Sequence, residues 1–156
     1  MAPVEIPLSE LHDWIGREVG TSEWCLIDQA RIDAFAQCTE DFQFIHLDPE
    51  AARSQAGFAG TIAHGFLVLS MLSSFAYQAG LKLKGARVSI NYGFDKIRFV
   101  NPVLSGSAIR ARFVLAEVAE RQPGQWLLAY DVRVEVKDSD KPALVARWLT
   151  LLVVGA

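Results

Sequence analysis

The chain has 156 residues, 51% of them hydrophobic, and a formal net charge of −3 at pH 7. This length suits one domain with a substantial core, and residues 1–156 are predicted to form that single domain. The negative charge gives no broad basic surface, which argues against a nucleic-acid partner. The longest apolar runs fall short of the roughly 20 residues of a membrane-spanning helix, which argues against a membrane partner.

The cysteines and the first residues of the chain bear on its cellular compartment. Cys25 and Cys38 belong to no recognisable metal-binding or redox motif. The N-terminus lacks the positive start and the continuous apolar core of a signal peptide. A reduced, cytoplasmic setting is therefore expected.

The first predicted elements are short. Residues 9–15 are predicted to form a helix with Ser9 as its N-cap. Residues 23–27 are predicted to form a strand, and Asp28 is the expected N-cap of the helix that follows it. Pro49 suits the first position of a further short helix.

The most informative segment, residues 39–48, places Asp41 and His46 five positions apart. A carboxylate and an imidazole in one short loop can share the handling of a proton, and this spacing needs a turn to bring them together. Three of the residues between them are apolar: Phe42, Phe44 and Ile45. These predict a dry pocket in which the two titrations are shifted and coupled. The alternative is an Asp that caps a helix and a His that is satisfied in the core.

A long apolar helix is predicted over residues 62–79, where only Gly65 weakens the helical run. The first amides of a helix are unpaired and point outward at the positive end of its dipole. The Gly65 N–H can therefore hold a carbonyl oxygen that gains negative charge during a reaction. The run is apolar on nearly every side, so the helix is expected to be buried. In the alternative reading, Gly65 only allows close packing in the core.

Four strand candidates follow the long helix, over residues 87–99, 107–120, 126–137 and 144–154. One helix and a run of long antiparallel strands predict an α+β fold, with a curled antiparallel sheet wrapped around the long central helix. Exposed edge strands are commonly covered by dimerisation, so a homodimer is expected.

Together these segments resemble the MaoC-like dehydratase family, which includes the (R)-specific enoyl-CoA hydratases, and within it the nodulation-protein-N-like branch. The resemblance extends over residues 32–103. It rests on a set of matching positions: Phe35, Ala36, Thr39, Asp41, residues 45–48, residues 61–66 and Ser73. It implies a hot-dog fold that is usually dimeric, with active sites near the subunit interface.

The resemblance also implies roles for individual residues. Asp41 and His46 match the catalytic pair, which would hold one water for addition to a trans-2-enoyl-CoA. Gly65 matches the glycine whose amide polarises the thioester carbonyl, and Ser73 matches a serine that orients the site. The substrate would be an acyl-CoA thioester, so that coenzyme A is part of the substrate and no separate cofactor is expected.

Two further residues complete the predicted substrate-binding set. Many family members have Asn-Pro where this chain has Gln43-Phe44. Gln43 keeps an amide that can orient the carboxylate or a water, but Phe44 removes the fixed φ of proline. His64 stands at the helix start, where it can orient the loop. Arg98 and a basic cluster after the long helix are candidates for contact with a CoA phosphate.

Three other interpretations have to be weighed. Hot-dog thioesterases usually carry a carboxylate on the central helix, but residues 62–79 contain no Asp or Glu. A non-catalytic thioester-binding module would be marked by the loss of Asp41 or His46, and both are present. A metal site formed by His46, Asp48 and His64 is disfavoured, because the spacing fits no helix-borne ligand pair and no cysteine joins them.

Overall fold

The computed structural model describes residues 4–155. A 3-10 helix spans Leu8–Trp14, and the α-helices that follow are α1 (Gln29–Thr39), α2 (Phe44–Leu47), α3 (Pro49–Ala56) and α4 (Gly65–Ala79). The strands are β1 (Glu5–Ile6), β2 (Glu18–Thr21), β3 (Cys25–Ile27), β4 (Lys82–Leu83), β5 (Ala86–Phe99), β6 (Ser107–Gln122), β7 (Gln125–Val136) and β8 (Leu144–Val154). Within the described range, none of the helices has the length and apolar character needed to cross a membrane.

Among the described residues, the larger sheet has six strands. Five follow one another in the order β2, β6, β7, β8 and β5, and β3 also pairs with β6. All of these pairs are antiparallel, whereas β1 and β4 form a separate parallel pair. The four long strands begin and end within two residues of their predicted bounds. The predicted α+β architecture, with one antiparallel sheet against a long helix, is confirmed.

The core lies between the sheet and the inner side of α4. Leu72 and Phe75 of α4 are buried, and Phe113 of β6 is buried in the same cluster. Burial of a side chain of this size contributes about 1.5–3 kcal/mol to folding. The outer side of α4 is different, since Phe66 and Tyr77 are 66% and 78% exposed. The expectation that the long helix is buried is therefore wrong for this outer stripe of α4.

The N-terminal helix starts from a proline rather than from the predicted serine cap. Pro7 occupies the N-cap position, and no side chain in the described part of the protein caps the helix, so Ser9 is not its N-cap. The Glu10 N–H donates to the Pro7 oxygen at 3.1 Å. This bond joins residues three apart, which is the 3-10 spacing, and it replaces the side-chain cap that was predicted.

Strand β2 was missed because its sequence carries a weak strand signal. It has only four residues and includes Gly20, a residue that normally weakens a strand. In the structure a Cβ on Gly20 would collide with the Ala79 backbone at the end of α4. The glycine therefore allows the sheet edge to approach the helix. The predicted Asp28 cap of α1 is confirmed, since its side chain accepts a hydrogen bond from the Arg31 N–H at 2.9 Å.

Candidate active site

The turn between α1 and α2 carries Asp41. After Thr39, the residue Glu40 takes a left-handed backbone conformation with φ 59° and ends α1. The chain then forms the single turn of α2, so His46 lies on a short helix and not in the open loop that was predicted. This path brings one side-chain oxygen of Asp41 and one ring nitrogen each of His46 and His64 within 4.8 Å of one another.

His46 is buried, and one hydrogen bond fixes its tautomer. Its Nδ1–H donates to the backbone oxygen of Ile62 at 2.7 Å. Because a carbonyl oxygen only accepts, the neutral ring keeps its lone pair on Nε2. Burial is the largest influence on His46 and lowers its pKa from the ordinary value of 6.5. The hydrogen bond to Ile62 and the charge of Asp41 act in the opposite direction, whereas His64 lowers the pKa further. The ring is therefore neutral at pH 7 and can accept a proton at Nε2.

Two hydrogen bonds to Ile62 join α2 to the segment before α4, and we call this pair of bonds the Ile62 clamp. The Ile62 N–H donates to the Ile45 oxygen at 3.0 Å, and the Ile62 oxygen accepts from His46 at 2.7 Å. Ile62 also forms an antiparallel bridge with Leu104. Because this pairing is extended, α4 begins at Gly65 and not at residue 62 as was predicted.

Gln29 and Thr61 give a second support that sequence reasoning missed. The Gln29 Nε2 donates to the backbone oxygen of His46 at 2.8 Å. The Gln29 Oε1 accepts from the Thr61 hydroxyl at 2.6 Å. One amide thus joins α1, α2 and the segment before α4. No periodicity relates positions 29, 46 and 61, so the sequence carried no signal for this contact.

His64 ties Asp41 to the start of α4. Its Nε2–H donates to the Asp41 backbone oxygen at 3.0 Å. Its ring stacks on His46, with ring centroids 3.7 Å apart and planes inclined by 24°. Its Nδ1 is buried and has no hydrogen-bond partner in the described part of the chain. His64 therefore positions both members of the predicted pair and offers a free acceptor inside the site.

The Asp41 side chain is exposed and bonded by local backbone. Its Oδ1 accepts from the backbone N–H of Gln43 at 3.4 Å, so the amide that orients Asp41 belongs to the main chain and not to the Gln43 side chain. Phe42 and Phe44 are 50% and 37% exposed. Of the three apolar neighbours, only Ile45 lines the cavity described next. The prediction that all three residues enclose a dry pocket is therefore wrong for Phe42 and Phe44 and holds only for Ile45.

A cavity of about 390 Å³ is lined by His46, one member of the predicted pair, and by Gly65, whereas Asp41 and His64 do not line it. We call it the dyad cavity. The rest of its wall is mostly apolar and includes Ile62, Phe66, Phe99, Val100 and Val103. Gly65 is the first residue of α4, where a backbone N–H has no acceptor within the helix. A Cβ on Gly65 would lie 3.0 Å from the Phe99 ring. The glycine thus allows close packing by Phe99 and also presents an unpaired amide.

Ser73 stands apart from this cluster. It follows Gly65 by two helical turns, about 12 Å along α4. It is half-buried, its hydroxyl accepts from the Asn91 side chain at 3.2 Å, and it does not line the dyad cavity. Four of the predicted site residues lie together: Asp41, His46, His64 and Gly65. Gln43 joins them through its backbone.

The stacked rings are poorly arranged to chelate a metal ion. Imidazole lone pairs lie in the ring plane, and two nearly parallel rings 3.7 Å apart do not aim them at one point. Zinc needs ring nitrogens that converge at about 2.0–2.1 Å from the ion. Asp48, the third residue considered from sequence, caps α3 by accepting from the backbone N–H groups of Glu50 and Ala51. The geometry fits acid–base chemistry better.

Comparisons with known proteins bear on both fold and family. Residues 10–137 match the MaoC like domain. Nodulation protein N of Rhizobium meliloti is 45% identical over 147 residues, which cover 94% of this chain and 91% of that protein. The 3-hydroxyacyl-thioester dehydratase Z of Mycobacterium tuberculosis is 43% identical over 84% of this chain and 85% of that protein.

The solved structure of the (R)-hydratase from A. caviae matches this chain with a TM-score of 0.67 and 24% identity, over 87% of this chain and 94% of that one. This likeness confirms the predicted hot-dog fold. The family match spans most of the sequence, and the relatives above cover more than four fifths of it. The chain therefore belongs to the MaoC-like dehydratase family, in its nodulation-protein-N-like branch.

Proposed function

We propose that the protein adds water to trans-2-enoyl-CoA thioesters and forms (R)-3-hydroxyacyl-CoA in a reversible reaction. One observation carries this proposal. The Nδ1–H of His46 is bonded to Ile62, which leaves an unprotonated Nε2 on a ring that belongs to the same cluster as Asp41. The relatives support the reaction class, since one is a 3-hydroxyacyl-thioester dehydratase and a structural neighbour is an (R)-hydratase.

In the proposed mechanism, Asp41 and His46 hold one water between them. The water donates one O–H to Nε2 of His46 and the other to the Asp41 carboxylate. As its oxygen bonds to C3, the pair takes one proton and the π electrons of the C2–C3 bond move toward the thioester. The pair then returns one proton to C2, so H and OH add to the same face. Because the two groups are coupled, the proton belongs to the pair.

Charge that develops on the thioester oxygen needs a second group. The Gly65 N–H lies at the positive end of the α4 dipole, in the same cavity as His46. It can stabilise the oxygen while the pair acts at C2 and C3. One such donor contributes about 10²–10³-fold to the rate, and acid–base catalysis contributes about 10²–10⁴-fold. Together the two effects contribute about 10⁴–10⁷-fold, so binding and orientation of the substrate must supply the rest of a typical enzymatic acceleration of about 10⁶–10¹⁷-fold.

The CoA part of the substrate would enter from the side of the dyad cavity that Phe99 lines. Arg98 is exposed next to Phe99 and is the candidate partner for a CoA phosphate. The basic cluster of Lys82, Lys84 and Arg87 follows the opposite end of α4, which makes it a poorer candidate. The mechanism needs no separate cofactor. The two cysteines, both free, support a reduced, cytoplasmic setting.

An assay of the wild-type protein tests this function against its two rivals. Crotonyl-CoA and a medium-chain trans-2-enoyl-CoA are incubated with the protein, the product is resolved by chirality, and free CoA is followed in parallel. Formation of the (R)-alcohol is the expected result. Release of CoA without hydration would make the protein a thioesterase, although α4 carries no acidic residue. Tight thioester binding without turnover would make it a binding module.

We also propose that the protein acts as a homodimer joined along β5. This strand lies at an edge of the sheet, and within residues 4–155 it pairs with β8 alone. Val88, Ile90 and Tyr92 alternate along it and are each about half exposed. A long edge strand with exposed apolar side chains favours pairing with another strand. Two copies of β5 related by a two-fold axis can pair the backbone N–H and C=O groups of this edge with each other.

The dimer is tested by placing a charge on this edge. Ile90→Lys is expected to convert a dimer into a monomer, as measured by light scattering after gel filtration. Leu26→Lys is the matched control, because Leu26 is a similarly exposed apolar residue on β3. A monomeric wild type, or dissociation caused by the Leu26 variant instead, would contradict pairing through β5.

A further inference from the structure

The Gln29 side chain is held at three points beside the candidate active site. Its Nε2 donates to the His46 backbone oxygen at 2.8 Å and to the Asp33 Oδ1 at 2.7 Å. Its Oε1 accepts from the Thr61 hydroxyl at 2.6 Å. An amide has two donor hydrogens and an oxygen with two lone pairs, so three of its four hydrogen-bonding positions are filled.

The partners of the Gln29 nitrogen determine which way its amide faces. The His46 carbonyl and the Asp33 carboxylate are acceptors, so both must meet the NH₂ group. The amide oxygen is left for Thr61, whose hydroxyl then donates to it. The reversed amide would place its oxygen against two acceptors. We call the bonds of Gln29 to His46 and Thr61 the Gln29 bridge.

Helix α2, which carries His46, depends on partners outside itself. It has only four residues, and a single helical turn is not stable alone in water. The last carbonyls of a helix have no N–H partner within it. In α2 the Ile45 oxygen is paired with the Ile62 N–H, and the His46 oxygen is paired with Gln29. The geometry of this turn is therefore set by its tertiary contacts.

The Gln29 bridge and the Ile62 clamp together form a closed ring of contacts. The bridge joins the backbone of His46 to the side chain of Thr61. The clamp joins the imidazole of His46 to the oxygen of Ile62, the residue that follows Thr61. His46 and Thr61 are each 5% exposed, so water has little access to replace a lost bond. The ring of contacts thus fixes the Ile62 oxygen relative to the imidazole.

We propose that Gln29 is a positioning residue that sets the tautomer of His46. By holding the His46 backbone and Thr61 at a fixed separation, it keeps the Nδ1–H on the Ile62 oxygen and leaves Nε2 unprotonated. Without the bridge, the preference for this tautomer weakens, and a ring with its proton on Nε2 has no base to offer there. The effect on tautomer concerns His46 itself, whereas the effect on rate rests on the proposed function.

Gln29→Met tests this role, because methionine keeps the length of the side chain and forms neither bond of the bridge. The tautomer of His46 is read from the nitrogen NMR shifts of its ring, assigned by their absence from His46→Gln. The measurement is made above pH 6.5, where the lowered pKa of His46 leaves the ring neutral. The ratio of Nδ1–H to Nε2–H tautomer is expected to fall by about 3- to 10-fold, the equilibrium value of one hydrogen bond.

The rate and the second arm of the bridge are measured in parallel. In Gln29→Met, kcat with crotonyl-CoA is expected to fall by about 10–10²-fold, because small displacements of a catalytic group are costly. KM is expected to change less. Thr61→Val removes the hydroxyl at nearly constant shape and is expected to lower the tautomer ratio and kcat as well. Thr61→Ser keeps the hydroxyl and is expected to retain both.

Two controls separate this role from a general loss of stability. Gln37→Met makes the same change at an exposed position of α1. Ser22→Ala removes a buried hydroxyl that accepts from the Ala111 N–H, away from the bridge. Both are expected to keep the wild-type tautomer ratio and kcat, although Ser22→Ala should lower the temperature of thermal unfolding.

The tautomer ratios decide the proposal. An unchanged ratio in Gln29→Met and Thr61→Val would overturn it, whatever the rates do. A fall in Ser22→Ala as large as that in Thr61→Val would also overturn it, because the tautomer would then follow stability alone. If the wild type does not hydrate crotonyl-CoA, the proposed function fails, and the ratios still decide the role of Gln29.

Discussion

Replacing His46 by Gln, or Asp41 by Asn, is expected to lower kcat for hydration of crotonyl-CoA by about 10²–10⁴-fold. Glutamine can still donate toward the Ile62 oxygen, but it offers no basic Nε2. Asparagine keeps the shape of Asp41 and removes its negative charge. Steady-state rates and chiral analysis of the product measure the effect, and KM is expected to change less than kcat.

The controls for this prediction come from the same chain. His12→Gln and Asp13→Asn make identical changes at exposed positions of the N-terminal 3-10 helix, and they are expected to leave kcat unchanged. The double variant of Asp41 and His46 is expected to be little worse than either single variant, because groups that act as a unit do not contribute additively. Multiplicative losses would show that the two side chains act independently.

The pH dependence of the wild type gives another readout of the same pair. Burial lowers the pKa of His46 below 6.5, so its Nε2 stays unprotonated down to a pH below that value. The acid limb of kcat/KM is therefore expected below pH 6.5. A limb well above pH 6.5 would mean that His46 is not the group whose protonation stops the reaction.

Gly65→Pro is expected to lower kcat/KM by about 10²–10³-fold relative to Gly65→Ala. Both variants add a Cβ that meets the Phe99 ring, 3.0 Å from the ideal position. Only proline also removes the backbone N–H. The comparison therefore cancels the packing effect and isolates the amide that we assign to the thioester oxygen.

The proline is compatible with the helix at this position. Gly65 is the first residue of α4, the position where proline is favoured because its missing N–H has no intrahelical acceptor. His64, which precedes it, already has the extended conformation that a residue before proline prefers (φ −58°, ψ 136°). Circular dichroism and thermal unfolding of the two variants are expected to agree. Equal kcat/KM in both would rule out Gly65 as the oxyanion donor.

Patterns that repeat along the chain predicted the fold well. The alternation from Leu128 to Val136 and the apolar run of α4 each involve many residues, so no single misread position shifts the assignment. The predictions from sequence are wrong where a single tertiary contact outweighs the local conformational preference of the residues. Gly20 lies in β2 because the sheet edge meets Ala79, and α4 starts late because Ile62 pairs with Leu104.

The side chains that the structure brings together at the candidate site could be predicted from the sequence, but the contacts that orient them could not. Asp41 and His46 stand close in sequence, and the position of His64 and Gly65 at the start of the long helix added these two, with the family resemblance agreeing for Gly65. The contacts that orient them join distant positions, such as the Ile62 oxygen sixteen residues from His46. Several of these partners are backbone atoms, which every residue type provides, so the sequence carries no mark of them.

The Ile62 clamp affects which insertions and deletions this sequence can accept during evolution. Residues 47–61 leave α2 and return to the start of α4 between two points that the clamp holds together. The free energy needed to close such a loop grows only slowly with its length. Insertions or deletions within this segment are therefore expected to leave the proposed base and the proposed oxyanion donor at a constant separation. The outer surface of the segment can then diversify while the proposed chemistry stays the same.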